Sequence, residues 1–189
     1  MGALLILGVI GGIGAILFLA LWAIYNSLVG QRNKVREAFS GVHVQLKRRA
    51  DLIPNLVDTV KGYAKHEREV LDRLTQLRTE FMSMKLDDHS AIVAQDNMIT
   101  QALKTVFAVA ENYPDLKASQ NFIKLQEALE ETEDQVAAAR RIYNANVNDY
   151  NTAIQQFPSN FVARRFKFIE ESFFQTDVAA ETAPKVSFS

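Results

Sequence analysis

Residues 3–24 read ALLILGVIGGIGAILFLALWAI, an unbroken apolar run, and the first charged side chain after it is Arg32. As a helix this run is about 33 Å long, enough to cross a hydrocarbon core of about 30 Å. Trp22 and Tyr25 stand at its end, where amphipathic rings favour the membrane–water interface and act as interfacial anchors. A cleaved signal would have lysine or arginine ahead of a shorter apolar run and a small-x-small exit. None of these is present, so residues 1–30 are read as a retained transmembrane anchor. The basic residues Arg32, Lys34, Arg36, Lys47, Arg48 and Arg49 all follow the span, which predicts an external N-terminus and a cytoplasmic folded part. Gly8 with Gly12, and Gly11 with Ala15, have the small-xxx-small spacing that lets two helices approach closely in lipid.

Beyond the anchor, Val35, Phe39, Val42, Leu46, Arg49, Ile53, Leu56, Val60, Tyr63, Glu67, Val70, Leu74, Leu77 and Phe81 alternate in steps of four and three. Only Arg49 and Glu67 break the apolar rule. A 3.5-residue period held this long predicts one helix from Arg32 to about Lys85 in coiled-coil-like packing, kinked at Pro54. A second helix is expected near residues 91–112, capped by Asp88 or Ser90, burying Ile92, Ile99, Leu103, Val106 and Ala110. A third is expected from about Ser119 to Phe157, with Phe122, Leu129, Val136, Tyr143, Asn146, Tyr150 and Phe157 on one face. Ser159 would cap a short fourth helix reaching about Phe174. The sequence is therefore all-α: a transmembrane helix (1–30) continuing into an antiparallel four-helix bundle with long helices (31–174), then a disordered tail (175–189). The first helix outruns its partners, so apolar stripe is left for another copy or another protein.

Composition narrows the chemistry. A net charge of −1 gives no basic excess for nucleic acid, and the absence of cysteine excludes thiolate metal sites and disulfides. His43, His66 and His89 are preceded at the third position by Ser40, Tyr63 and Leu86, so the Glu-x-x-His motif of helical metal centres is missing. No Gly-rich phosphate loop or nucleophile elbow occurs. Glu127, Glu130, Glu131, Glu133 and Asp134 read as a solvated helix face. Residues 160–169 mix aromatics with Arg164, Arg165 and Lys167; they form either an interfacial membrane helix or, the reading preferred here, phenylalanines closing the bundle core. No catalytic residue, cofactor, metal or small-molecule substrate is expected.

Two long stretches, VQLKRRADLIPNLV (44–57) and RRIYNANVNDYNTAIQQFPS (140–159), together with Tyr25-Asn26, resemble the bacterial LemA family over most of the chain. The resemblance implies a single-span protein of the bacterial inner membrane with a cytoplasmic four-helix domain and no established enzyme activity or cofactor. It also implies association with envelope quality control, through gene neighbourhood with a membrane-embedded zinc metalloprotease, and occurrence of some relatives in magnetosome membranes. In the matching stretches Asn55, Asn144, Asn146, Asn148 and Asn151 are poor helix-interior residues. With Arg140, Arg141, Tyr143, Asp149 and Tyr150 they form either a buried polar network that fixes helix register or a binding surface for a partner. The function expected is a non-enzymatic, membrane-anchored scaffold or adaptor, a homo-oligomer at the lipid bilayer. The alternative is an accessory regulator of a membrane metalloprotease.

Overall fold

The computed structural model describes residues 1–174, apart from the side chains of residues 3–5, and the expected tail lies outside the described residues. It is helical throughout, with no strand among those residues. The helices are α1 (Gly2–Tyr63), α2 (Arg68–Ser83), α3 (His89–Ala110), α4 (Pro114–Lys117), α5 (Gln120–Gln155) and α6 (Ser159–Arg165). Two compact units are built from them: Met1–Phe39 with Ile142–Phe173, and Ser40–Arg141 with Phe174.

In the first unit, α1 carries the apolar run, and every side chain described from Ile6 to Trp22 is exposed. Beyond it, Leu28, Val35 and Phe39 are buried with Tyr143, Val147, Tyr150 and Ile154 of α5, and with Val162, Ala163 and Phe168. The α5 residues step by four, three and four, the spacing of one helix face. Asn146 and Phe157 were expected on that face. Val147 and Ile154 hold it instead, and Phe157, beyond the end of α5, is 79% exposed. After Tyr143 the steps run four then three rather than three then four, so Tyr150 keeps its place and only the positions between move by one.

The α6 helix also departs from expectation. It ends at Arg165, well short of Phe174, and its N-cap position is Pro158. The Ser159 hydroxyl instead donates to the carbonyls of Ala153 and Gln156, tying the chain back to the end of α5. Closure of α6 is a Schellman arrangement: Phe168 N donates to Ala163 O at 2.9 Å and Lys167 N to Arg164 O at 3.4 Å. Lys167 takes the left-handed position at φ 57°. Residues 166–174 then run without helix.

In the second unit the expected single heptad helix is two. The α1 helix continues through Pro54 but stops at Tyr63, and α2 starts at Arg68. A break of four residues is close to one helical turn, so the alternating pattern carries on in phase across it. Ala64 is buried there, while Tyr63 is 46% exposed. Glu67, the second polar intruder in the stripe, precedes α2 and accepts a hydrogen bond from the Tyr113 hydroxyl at 3.0 Å. Most of the stripe is packed: Val42, Leu46, Ile53, Leu56 and Val60 of α1, then Leu74, Leu77 and Phe81 of α2, are buried, while Val70 is half-buried and Leu71 takes the core position expected of it. Asp88 caps α3 by accepting from Ala91 N at 3.2 Å, and all five expected α3 core residues are buried. Pro114 opens the four-residue α4, where proline at N1 loses no hydrogen bond.

Candidate functional site

In the first unit the side chains of α5 bind the backbone of the segment that follows α6. The Tyr143 hydroxyl donates to Ser172 O and the Tyr150 hydroxyl to Ile169 O, each at 2.9 Å. Asn151 pairs with both polar groups of Glu171: its Nδ2 donates to Glu171 O and its Oδ1 accepts from Glu171 N, both at 2.9 Å. Residues 169–172 lack helical or sheet partners, and an unpaired buried backbone group costs about 1–3 kcal/mol. These three side chains supply the missing ladder. Burial pushes the Tyr143 phenol up to about 12, with the Glu171 carboxylate acting in the same direction. The Tyr150 phenol is raised for the same two reasons, against Arg32 and Arg36.

The remaining members of the family-like stretch separate. Asn146 donates from Nδ2 to Ile142 O of its own helix at 2.8 Å. Asn146, Asn148 and Asp149 line a shallow polar groove of about 420 Å3 with Gln31, Lys34, Thr152, Ala153 and Gln156. Asn144 is half-buried, and Asn55 and Arg141 are exposed. Nearer the apolar run, the Tyr25 ring lies 4.8 Å from Phe166 and 5.8 Å from Phe168, and the Arg32 guanidinium sits 5.0 Å over Phe168.

Arg140 belongs to a different cluster, in the second unit. Asp96, 1% exposed on α3, accepts one guanidinium on each carboxylate oxygen, from Arg49 and from Arg140. Arg49 is itself 2% exposed and also reaches Glu133 at 2.6 Å and Thr100 Oγ1 at 3.0 Å. Arg140 stacks 4.7 Å over the ring of Phe174. Burial pushes the Asp96 carboxyl above the usual carboxylate range, and the two arginines oppose it. Arg49, the first polar intruder in the heptad stripe, is thus the centre of a buried ionic layer. Asp96, which no apolar spacing in the sequence singles out, carries its counter-charge.

His43 stacks on Phe81 at 5.6 Å, and burial followed by the neighbouring Lys47 lowers its pKa. His66 is exposed. No group of three or more His, Asp or Glu side chains among the described residues is arranged to hold a metal ion. Of the acidic run on α5, Glu133 alone is joined to the ionic layer, while Glu127, Glu130, Glu131 and Asp134 are exposed. At the N-terminal end, a Cβ added at Gly8, Gly11 or Gly12 would meet nothing within 4 Å.

Comparison with known proteins agrees with the residues. The family model matching residues 38–188 is described as the LemA family. "Protein LemA" of Metamycoplasma hominis is 30% identical over 152 residues, covering 79% of this chain and 68% of that protein. "Magnetosome protein MamQ 2" of Paramagnetospirillum magneticum is 26% identical over 182 residues, covering 84% of this chain and 67% of the relative. "Magnetosome protein MamQ" of Magnetospirillum gryphiswaldense is 24% identical with the same coverage.

Proposed function

The chain belongs to the LemA family, and from that premise we propose that it is a non-enzymatic, membrane-anchored scaffold that self-associates in the bilayer. Family membership, and the one helix among the described residues that is long and apolar enough to cross a membrane, support a membrane protein. The observation that carries the finer reading is the bare helix face at Gly8, Gly12, Gly11 and Ala15. It has nothing packed against it and has the spacing at which two helices in lipid meet most closely. Tyr143, Tyr150 and Asn151 hold backbone of their own chain, which favours a structural over a catalytic role for that part of the family-like stretch. The basic residues after the span favour the inner-membrane orientation with the folded part in the cytoplasm.

The test is the mass of the full-length protein in mild detergent by light scattering, beside Gly8→Leu/Gly12→Leu and Gly11→Leu/Ala15→Leu. A defined oligomer that either double variant reduces to monomer supports the reading. A wild-type monomer overturns self-association, and co-purification with a membrane metalloprotease then becomes the experiment for an accessory role.

A further inference from the structure

Phe157, Phe161 and Phe166 are 79%, 64% and 56% exposed, although the same short stretch buries Val162, Ala163 and Phe168. Phe157 and Phe161 stack edge to face at 6.0 Å. Large aromatics grouped on a surface mark a place that something covers. The contact with Tyr25 says what. Tyr25 directly follows the apolar run, and its ring touches Phe166 at 4.8 Å, so this patch lies at the depth where the spanning helix leaves the hydrocarbon. Arg164, Arg165 and Lys167 are exposed beside it, and no acidic residue occurs between Phe157 and Ile169. A second copy would bring two like-charged patches together. An anionic lipid surface is complementary to both the aromatics and the charge.

We propose that α6 and the turn after it are a membrane-docking surface. The three phenylalanines enter the headgroup–acyl boundary, and Arg164, Arg165 and Lys167 engage anionic phospholipid headgroups. At this depth the basic side chains lie within a Debye length of the headgroups, so the attraction is not screened out. The proposal rests on α1 being inserted in the bilayer, and the chain's one tryptophan, Trp22, reports that separately.

The experiment uses full-length protein in vesicles of phosphatidylcholine, with and without phosphatidylglycerol, and brominated lipids as fluorescence quenchers. Quenching of Trp22 in the wild type reads the anchor; quenching in Trp22→Phe/Phe161→Trp reads the docking surface. Position 161 is exposed, so the fold tolerates the larger ring. The expected result is quenching at both positions, with position 161 quenched about twofold more when phosphatidylglycerol is present. That dependence should disappear on adding Arg164→Gln, Arg165→Gln and Lys167→Gln. Quenching of Trp22 with position 161 still open to aqueous acrylamide overturns the docking and leaves the anchor standing. No quenching at either position overturns the anchor and the docking with it. Protection of position 161 that follows the protein-to-lipid ratio and not the anionic lipid overturns lipid docking in favour of a second copy.

Discussion

The Asn151 carboxamide pairs with the backbone of Glu171 as one strand pairs with another, donating to the carbonyl and accepting from the N–H at 2.9 Å each. Asparagine can do this because its side chain carries the same donor and acceptor as a peptide group. Asn151→Leu leaves both Glu171 groups without their partner, and is expected to destabilise by about 2–4 kcal/mol. Asn151→Asp keeps the acceptor for Glu171 N–H but turns the donor into a charged oxygen facing Glu171 O in a buried position, so it should cost at least as much. Thermal unfolding in mild detergent, followed by circular dichroism, checks the order. Equal melting temperatures for Asn151→Leu and wild type would show that the segment is not held here.

The ionic layer predicts a different asymmetry. Asp96 receives Arg49 and Arg140 on its two oxygens, with burial working against its charge. Asp96→Asn leaves two guanidiniums facing a neutral amide, and removing one partner of a buried pair typically costs about 3–5 kcal/mol. Replacing Arg49 and Asp96 together by Met and Leu also removes the buried Arg49 charge, leaves Arg140 no less paired than Asp96→Asn does, and should cost less than Asp96→Asn alone. Denaturant midpoints of the three proteins measure it. A double variant less stable than the single one would mean that the pair contributes net stability beyond avoiding unpaired charge.

Much of this fold is legible in the apolar spacing, and the parts that are not have physical causes. The α3 core and the stripe along α1 follow from period alone, because burial demands it at each step. The break at residues 64–67 does not, since a gap of about one turn preserves the phase on either side. Arg49 and Glu67 are visible as polar intruders in the stripe, but their partners Asp96 and Tyr113 lie on distant segments that no local pattern ties to them. Grouping Asn, Tyr and Arg at 140–151 as one network has no counterpart in the distances: Arg140 joins the ionic layer, while Tyr143, Tyr150 and Asn151 bind residues 169–172. A side chain that recognises backbone leaves no complementary residue type to find in the sequence. The exposed phenylalanines of 157–166 read as core because aromatic residues in a soluble domain are normally buried.

Stability at high pH should report the two buried tyrosines. Tyr143 ionises at about 12 in the folded state and near the ordinary value of about 10 when unfolded. A raised folded pKa means that the contribution is complete below pH 10 and is lost as pH rises through 12. Tyr150 shifts in the same direction. Tyr143→Phe abandons the hydrogen bond to Ser172 O, a loss of about 1 kcal/mol at pH 8, but also removes one ionisation. The deficit of the variant relative to wild type is therefore expected to shrink between pH 8 and pH 11. Chemical denaturation at the two pH values tests this; a constant deficit would mean that the phenol titrates alike in both states.

Lys167 offers the opposite sign, a substitution that should stabilise. It occupies the left-handed position at φ 57° that closes α6, where Phe168 N reaches back to Ala163 O at 2.9 Å. A side chain with a Cβ costs about 1–2 kcal/mol in this conformation, and glycine avoids it. Lys167→Gly should therefore gain about 1 kcal/mol, a rise in melting temperature of about 2–4 °C for a chain of this size. Lys167→Ala keeps the Cβ and the strain and should leave the melting temperature near wild type, which separates backbone relief from loss of charge. Both variants remove one cation from the patch beside Phe166, so both should weaken the response to phosphatidylglycerol equally while differing in stability. A residue that is costly for the turn yet useful at the membrane would show that pattern; equal melting of the glycine and alanine variants would show that the turn carries no strain.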